Sequence, residues 1–143
     1  MKSTNRLQYL RAALVVFGLI FIFAIYPFMM FWSSGWTWLP EQPKYEQMIV
    51  GVYATLGVFL LIASRNPQKH LSLIWFTVWS SLVHAGIMTV QTISEPAERG
   101  HLFGDIPALL IVAVVLAALT PRGTDKVEST GDAISNYSSP KVS

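Results

Sequence analysis

The stretch LSLIWFTVWSSLVHAGIMTVQTI, residues 71–93, contains no Asp, Glu, Lys or Arg and is interrupted only by His84. At 1.5 Å rise per residue, about 20 such residues cross a hydrocarbon core of roughly 30 Å. Three further runs have the same character: Ala12 to Trp32, Met48 to Ser64, and His101 to Thr120 with Asp105 near its start. The expected fold is all-α, a polytopic membrane protein built as a four-helix antiparallel transmembrane bundle. Its spans fall at about 12–32, 48–64, 71–93 and 101–120, after an N-terminal segment 1–11 and before a tail 121–143.

Composition agrees. Of the 143 residues, 52% are hydrophobic and 13% charged, about half the charge of a soluble domain, and the mean hydropathy is +0.47. The absence of Cys excludes disulfide frameworks, thiolate metal sites, cysteine nucleophiles and covalently attached haem. A pI near 9.0 invites a nucleic-acid reading, but that needs a clustered basic face, and these Lys and Arg are scattered between apolar runs. No P-loop, Gly-rich dinucleotide turn or HExxH zinc motif is present. After Pro121 the chain is rich in Ser, Thr and Gly with mixed charge, so the tail is expected to be disordered.

The basic start (Lys2, Arg6, Arg11) precedes an apolar run too long for a signal-peptide core, so the first helix is expected to stay as an anchor. Lys2, Arg6, Arg11, Arg65, Lys69, Arg122, Lys126 and Lys141 fall on one side of the spans, and only Lys44 and Arg99 on the other. By the positive-inside rule both termini are expected to be cytoplasmic. The short link Arg65 to Lys69, with Pro67, makes spans two and three an antiparallel hairpin. The loop Ser33 to Glu46, with Trp36, Trp38, Pro40 and Pro43, suits the opposite headgroup region.

At 100° per residue, Thr77, Ser80, Ser81, His84, Met88 and Gln91 form one stripe of the third helix, expected to face the bundle, with Trp75, Trp79 and Leu82 opposite. Helices in lipid associate through small residues and interhelical hydrogen bonds. Gly51, Ala54, Thr55, Ser81, Ala85, Ala113 and Ala117 are the small residues at helical spacing. By residue count Tyr26 and Tyr53 each lie roughly 9 Å inside the outer ends of their helices, and His84 slightly deeper. With Asp105 entering from the same side, these four are expected to surround one polar cavity.

His84 is the only ionisable residue well inside a span, and such residues are costly there unless paired or lining a wet cavity. As neutral imidazole it suits a metal, a haem or a quinone carbonyl. Alternatively it bonds a Ser or Tyr across the bundle and fixes register. A second deep histidine for a bis-imidazole haem is absent. Tyr26 precedes Pro27, which frees the carbonyl of Phe23 and kinks the outer end of the first helix; otherwise Tyr26 anchors at the interface beside Trp32. Tyr26, Tyr53 and His84 are thus the cofactor-binding candidates, with no particular cofactor specified.

Glu98, His101 and Asp105 stand at i, i+3 and i+7 and share one face if helical, which makes them metal-ligand candidates. A di-metal carboxylate bundle needs a second such helix, which this chain lacks. Asp105 also reads as an N-cap with Pro107 in the first turn. A helix from Ile106 to Thr120 would then be only about 22 Å long, so either it begins nearer His101 and kinks at Pro107 or the membrane thins. Phe28-Met-Met-Phe31 is read as lipid-facing bulk, since copper would need clustered His or Cys.

The stretches MIVGVYATLGVFLL (48–61), SLIWFTVWSSLVHAGIM (72–88) and ERGHLFGDIPALL (98–110) resemble a family of small bacterial four-helix membrane proteins of unknown function. The resemblance covers residues 6–120, leaves out the tail, and extends in architecture to DoxX-like membrane proteins. It implies a bacterial inner-membrane protein and carries over no activity. Three roles stay open: an accessory bundle with an outward pocket around His84, a small transporter or channel with a proton or cation path through His84 and Asp105, and a scaffold whose tail recruits a partner. The partners expected are the lipid bilayer and either a second copy of the chain or another membrane protein, and not nucleic acid. No nucleophile–base pair names an enzymatic reaction.

Overall fold

The computed structural model describes residues 3–37 and 43–121. Among these residues the chain is all-α, and four helices are long and apolar enough to cross a membrane: Thr4–Phe31, Gln47–Arg65, Pro67–Ser94 and Pro96–Leu119. The first is interrupted. It consists of α1 (Ser3–Leu19), a π turn over Ile20–Ala24 and α2 (Ile25–Phe31). Pro27 has no N–H, and its ring opposes the carbonyl four residues back, that of Phe23. That carbonyl lies inside the π turn, so the irregularity takes the form of a widened turn preceding the proline.

A 3-10 turn at Ser33–Gly35 follows, and α3 runs from Pro43 to Arg65, starting ahead of Met48. Pro67 stops it and begins the 3-10 turn Pro67–His70, which leads into α4 (Leu71–Ser94). The 3-10 segment Pro96–Leu102 then precedes α5 (Asp105–Leu119). The α-helical part of the fourth span therefore starts at Asp105, past His101. Its α-helical part has 15 residues, and the tighter 3-10 segment before it, rising about 2 Å per residue, adds the missing length. The residue at the cap is Gly104, and Asp105 belongs to the first turn, which corrects the N-cap reading. Trp38, Pro40 and the tail after Pro121 lie outside the described residues.

The bundle is assembled from two extensive pairings, α1 with α3 and α4 with α5. The first is a glycine crossing. A Cβ on Gly57 would lie 2.6 Å from the Gly18 carbonyl oxygen, and one on Gly18 would lie 2.9 Å from that of Gly57. Only glycine permits so close a backbone approach. The expected contact at Gly51 is not made, since that residue faces open space and Thr55 is exposed. Ser81, Ala85 and Ala113 are buried, where α4 and α5 approach one another.

Leu10, Leu14, Leu60, Ile74 and Leu116 are completely buried and form the core toward the Arg6 end. There the Arg6 guanidinium donates to the carbonyls of Ala118 (3.0 Å) and Thr120 (2.9 Å), meeting the acceptors that the end of α5 leaves unpaired. This bond sets the start of the first helix beside the end of the last.

The α4 stripe is partly as expected. Thr77, Ser81 and Met88 are buried and Trp79 is exposed, but Gln91 is exposed too, and Trp75 and Leu82 pack partly against the core. The hydroxyls do not reach across the bundle. Thr77, Thr89 and Thr92 donate to the carbonyls of Leu73, Ala85 and Met88, four residues back in their own helix. In an apolar setting that local carbonyl is the nearest acceptor.

Candidate functional site

The π turn, the glycine crossing and the start of α5 leave a cavity of about 340 Å³ at the end of the bundle away from Arg6. Its wall is apolar over most of its extent, built from Phe17, Phe21, Phe28, Met29, Leu109 and Val112 among others. Three polar side chains interrupt it: Tyr53 from α3, His84 from α4 and Asp105 from α5. Ile20, Phe28, Ile49 and Ile111 belong to the wall and are also exposed, so the cavity reaches the outside of the bundle between apolar side chains.

Tyr53 and His84 are joined. The phenol oxygen lies 2.9 Å from His84 Nδ1, and with the ring proton on Nε2 it is the tyrosine that donates. Phe21 holds the other side of the Tyr53 ring edge-to-face, at 5.2 Å between centroids and 72°. Both residues thus fulfil two expectations at once, a cross-bundle bond that fixes register and a place on the cavity wall. Tyr26 does not join them. It is 55% exposed and contributes nothing to the cavity, because the π turn rotates it to the outer surface.

Asp105 is held from behind. Both of its oxygens lie 3.0 Å from His101 Nδ1, whose N–H they share, and the backbone N–H of Ile106 also donates to the carboxylate. His101 Nε2 in turn lies 3.3 Å from Glu98 Oε2. Glu98 is 2% exposed and His101 0%. The two come together because they sit in a 3-10 segment, where residues i and i+3 eclipse. Glu98, His101 and Asp105 are therefore one row, as the spacing implied, but each imidazole nitrogen faces a carboxylate. Among the described residues no three His, Asp or Glu side chains are disposed to hold a metal ion. The row ends at the Asp105 carboxylate, which lines the cavity.

Trp36 is a wall residue that sequence reasoning placed at the membrane interface. Its ring stacks on Phe28 at 5.1 Å and 18°, and its indole nitrogen is buried without an acceptor among the described residues. Its placement depends on three glycines. A Cβ on Gly100 would collide with the Ser34 carbonyl, one on Gly104 with the Gly35 carbonyl, and Gly35 itself lies against the Trp32 ring. The Ser33–Gly35 turn is thereby pressed onto the Pro96–Leu102 segment, over the end that holds Glu98 and His101. The signal available beforehand was glycine itself, at positions 35, 100 and 104 in short links between spans.

The model of a family of unknown function (DUF6632) matches residues 4–137, which takes the match into the tail and past the end expected at residue 120. No curated protein and no solved structure matches the chain.

Proposed function

We propose, from the premise that this chain belongs to the DUF6632 family of unknown function, that it is a multi-pass membrane protein binding one small, mainly apolar molecule, whose polar end meets Tyr53, His84 and Asp105. The observation that carries this reading is the cavity itself: about 340 Å³ of apolar wall with three polar side chains from three helices converging on it. Ligand sites characteristically combine a large apolar surface with a few placed polar groups. The membrane is read as a bacterial inner membrane. Arg6, Arg65 and Lys69 fall at one end of the bundle, and the positive-inside rule makes that end and both termini cytoplasmic. The cavity then lies toward the outer leaflet.

A transport path through His84 and Asp105 is the second reading, supported by the presence of both on one cavity wall. It is disfavoured by what lies beyond. Leu10, Leu14, Leu60, Ile74 and Leu116 are completely buried in the other half of the bundle, where an ion would meet mainly apolar side chains. A bis-imidazole haem is also disfavoured, since no second histidine lines the cavity among the described residues.

The test is calorimetric titration of the detergent-purified chain with small aromatic probes, neutral and charged, beside an Ala108→Trp variant. Ala108 lines the cavity, and an indole there fills it without removing a polar group. Saturable one-to-one binding that Ala108→Trp abolishes is the expected result. Absence of saturable binding for every probe, or binding indifferent to Ala108→Trp, overturns the reading.

A further inference from the structure

Asp105 differs from the other polar residues of the cavity. Tyr53 and His84 satisfy one another, whereas the Asp105 carboxylate lines the cavity while accepting from His101 Nδ1–H, the Ile106 N–H and its own backbone N–H. A carboxylate at an apolar wall is costly unless a donor or an opposite charge meets it. The rest of the wall is rich in aromatic faces: Phe17, Phe21, Phe28, Trp36 and Tyr53 all line the same space. A carboxylate on a cavity wall that also carries aromatic rings is the combination that recognises an organic ammonium group, by charge and by attraction of the cation to ring faces. An anion would be repelled by Asp105.

Resting on the cavity reading above, we propose that the molecule bound is an organic cation, an amine or quaternary ammonium with an apolar body, whose positive group sits at Asp105. The apolar rim of Ile20, Phe28, Ile49 and Ile111 lies within the candidate membrane spans, so the ligand enters from the bilayer side with its apolar body leading. Glu98 and His101 are positioning residues: they hold the carboxylate and do not touch the ligand.

Three probes of nearly one shape separate the charge from the fit: benzyltrimethylammonium, its uncharged isostere neopentylbenzene, and the anion phenylmethanesulfonate. Each is titrated into the full chain in detergent micelles, with Ala108→Trp subtracted as background. The cation is expected to bind at least about tenfold more tightly than the neutral isostere, and the anion not at all. Asp105→Asn is expected to remove that preference while the neutral probe still binds, and Asp105→Glu to retain it. If the neutral isostere binds as well as the cation in the wild-type chain, or the anion binds best, the cation assignment fails and the cavity reading stands. If none of the three binds above Ala108→Trp, both fail. The wild-type comparison needs no variant at position 105, so poor folding of Asp105→Asn does not rescue the proposal.

Discussion

The two halves of this bundle are made by the same helices and packed by opposite means. Toward Arg6, fully buried leucines and isoleucine interlock, and an arginine ties α1 to the end of α5. Toward Asp105, aromatic side chains stand where small ones would be needed for close approach, the first helix widens into a π turn, and about 340 Å³ stays open. One half spends its apolar residues on contact and the other on lining a space. Since lipid gives helices little reason to associate beyond packing and polar contacts, the closed half holds the bundle together and the open half is free to serve a ligand.

The sharpest way to break that contrast is truncation. Leu60→Ala is expected to lower stability by about 2 to 5 kcal/mol, measured by chemical unfolding in mixed micelles. Leu109→Ala, at the cavity wall, is expected to cost clearly less, because Leu109 already lacks neighbours on one side. Equal losses would erase the distinction between the halves. Gly57→Ala should follow at about 1 to 3 kcal/mol, since its methyl group meets backbone that cannot yield without parting α1 from α3; thermal unfolding monitored by circular dichroism checks it.

Enlargement probes the same contrast from the other side. Ala113→Leu, in the buried contact of α4 with α5, is expected to destabilise by about 1 to 3 kcal/mol, whereas Ala108→Leu should change stability by less than about 1 kcal/mol. A larger penalty at Ala108 would mean that the cavity is not open in solution. Arg6→Ala is expected to cost about 1 kcal/mol and to raise amide exchange in the last turn of α5, where Ala118 and Thr120 lose their donor. The smallest effect expected is that of Tyr53→Phe, about 0.6 kcal/mol. Its more telling readout is the nitrogen NMR signal of His84 Nδ1, which should move when the phenol donor is removed.

Much of the helical plan was legible in the chain, and the reasons are specific. Four apolar runs name four helices, Pro67 names the end of α3, and the spacing of Glu98, His101 and Asp105 names a shared face. The errors also have causes. A regular first helix leaves Tyr26 two places, the cavity or the interface beside Trp32; past the π turn, which shifts the rotational register, Tyr26 is exposed and outside the cavity lining. Gly51 was chosen as a contact by spacing alone, whereas Gly57 meets a partner only because Gly18 lies opposite. Residue type suits Trp36 to the interface, and the pressing together of Gly35, Gly100 and Gly104 places its ring on the cavity wall as well.

Hydropathy along the chain determines where helices lie and how long they are, because the requirement to bond every backbone group within an apolar medium is local and acts on each run separately. What hydropathy does not contain is rotation. Which face of α3 meets which face of α4, whether the Asp105 carboxylate turns toward a cavity or toward lipid, and whether a space remains at all depend on a close backbone crossing at Gly18 and Gly57, on a turn of changed pitch at Ile20–Ala24, and on a 3-10 segment that stacks Glu98 on His101. Each is a relation between residues that contact across the fold or through altered helical pitch, and only the tertiary structure decides it.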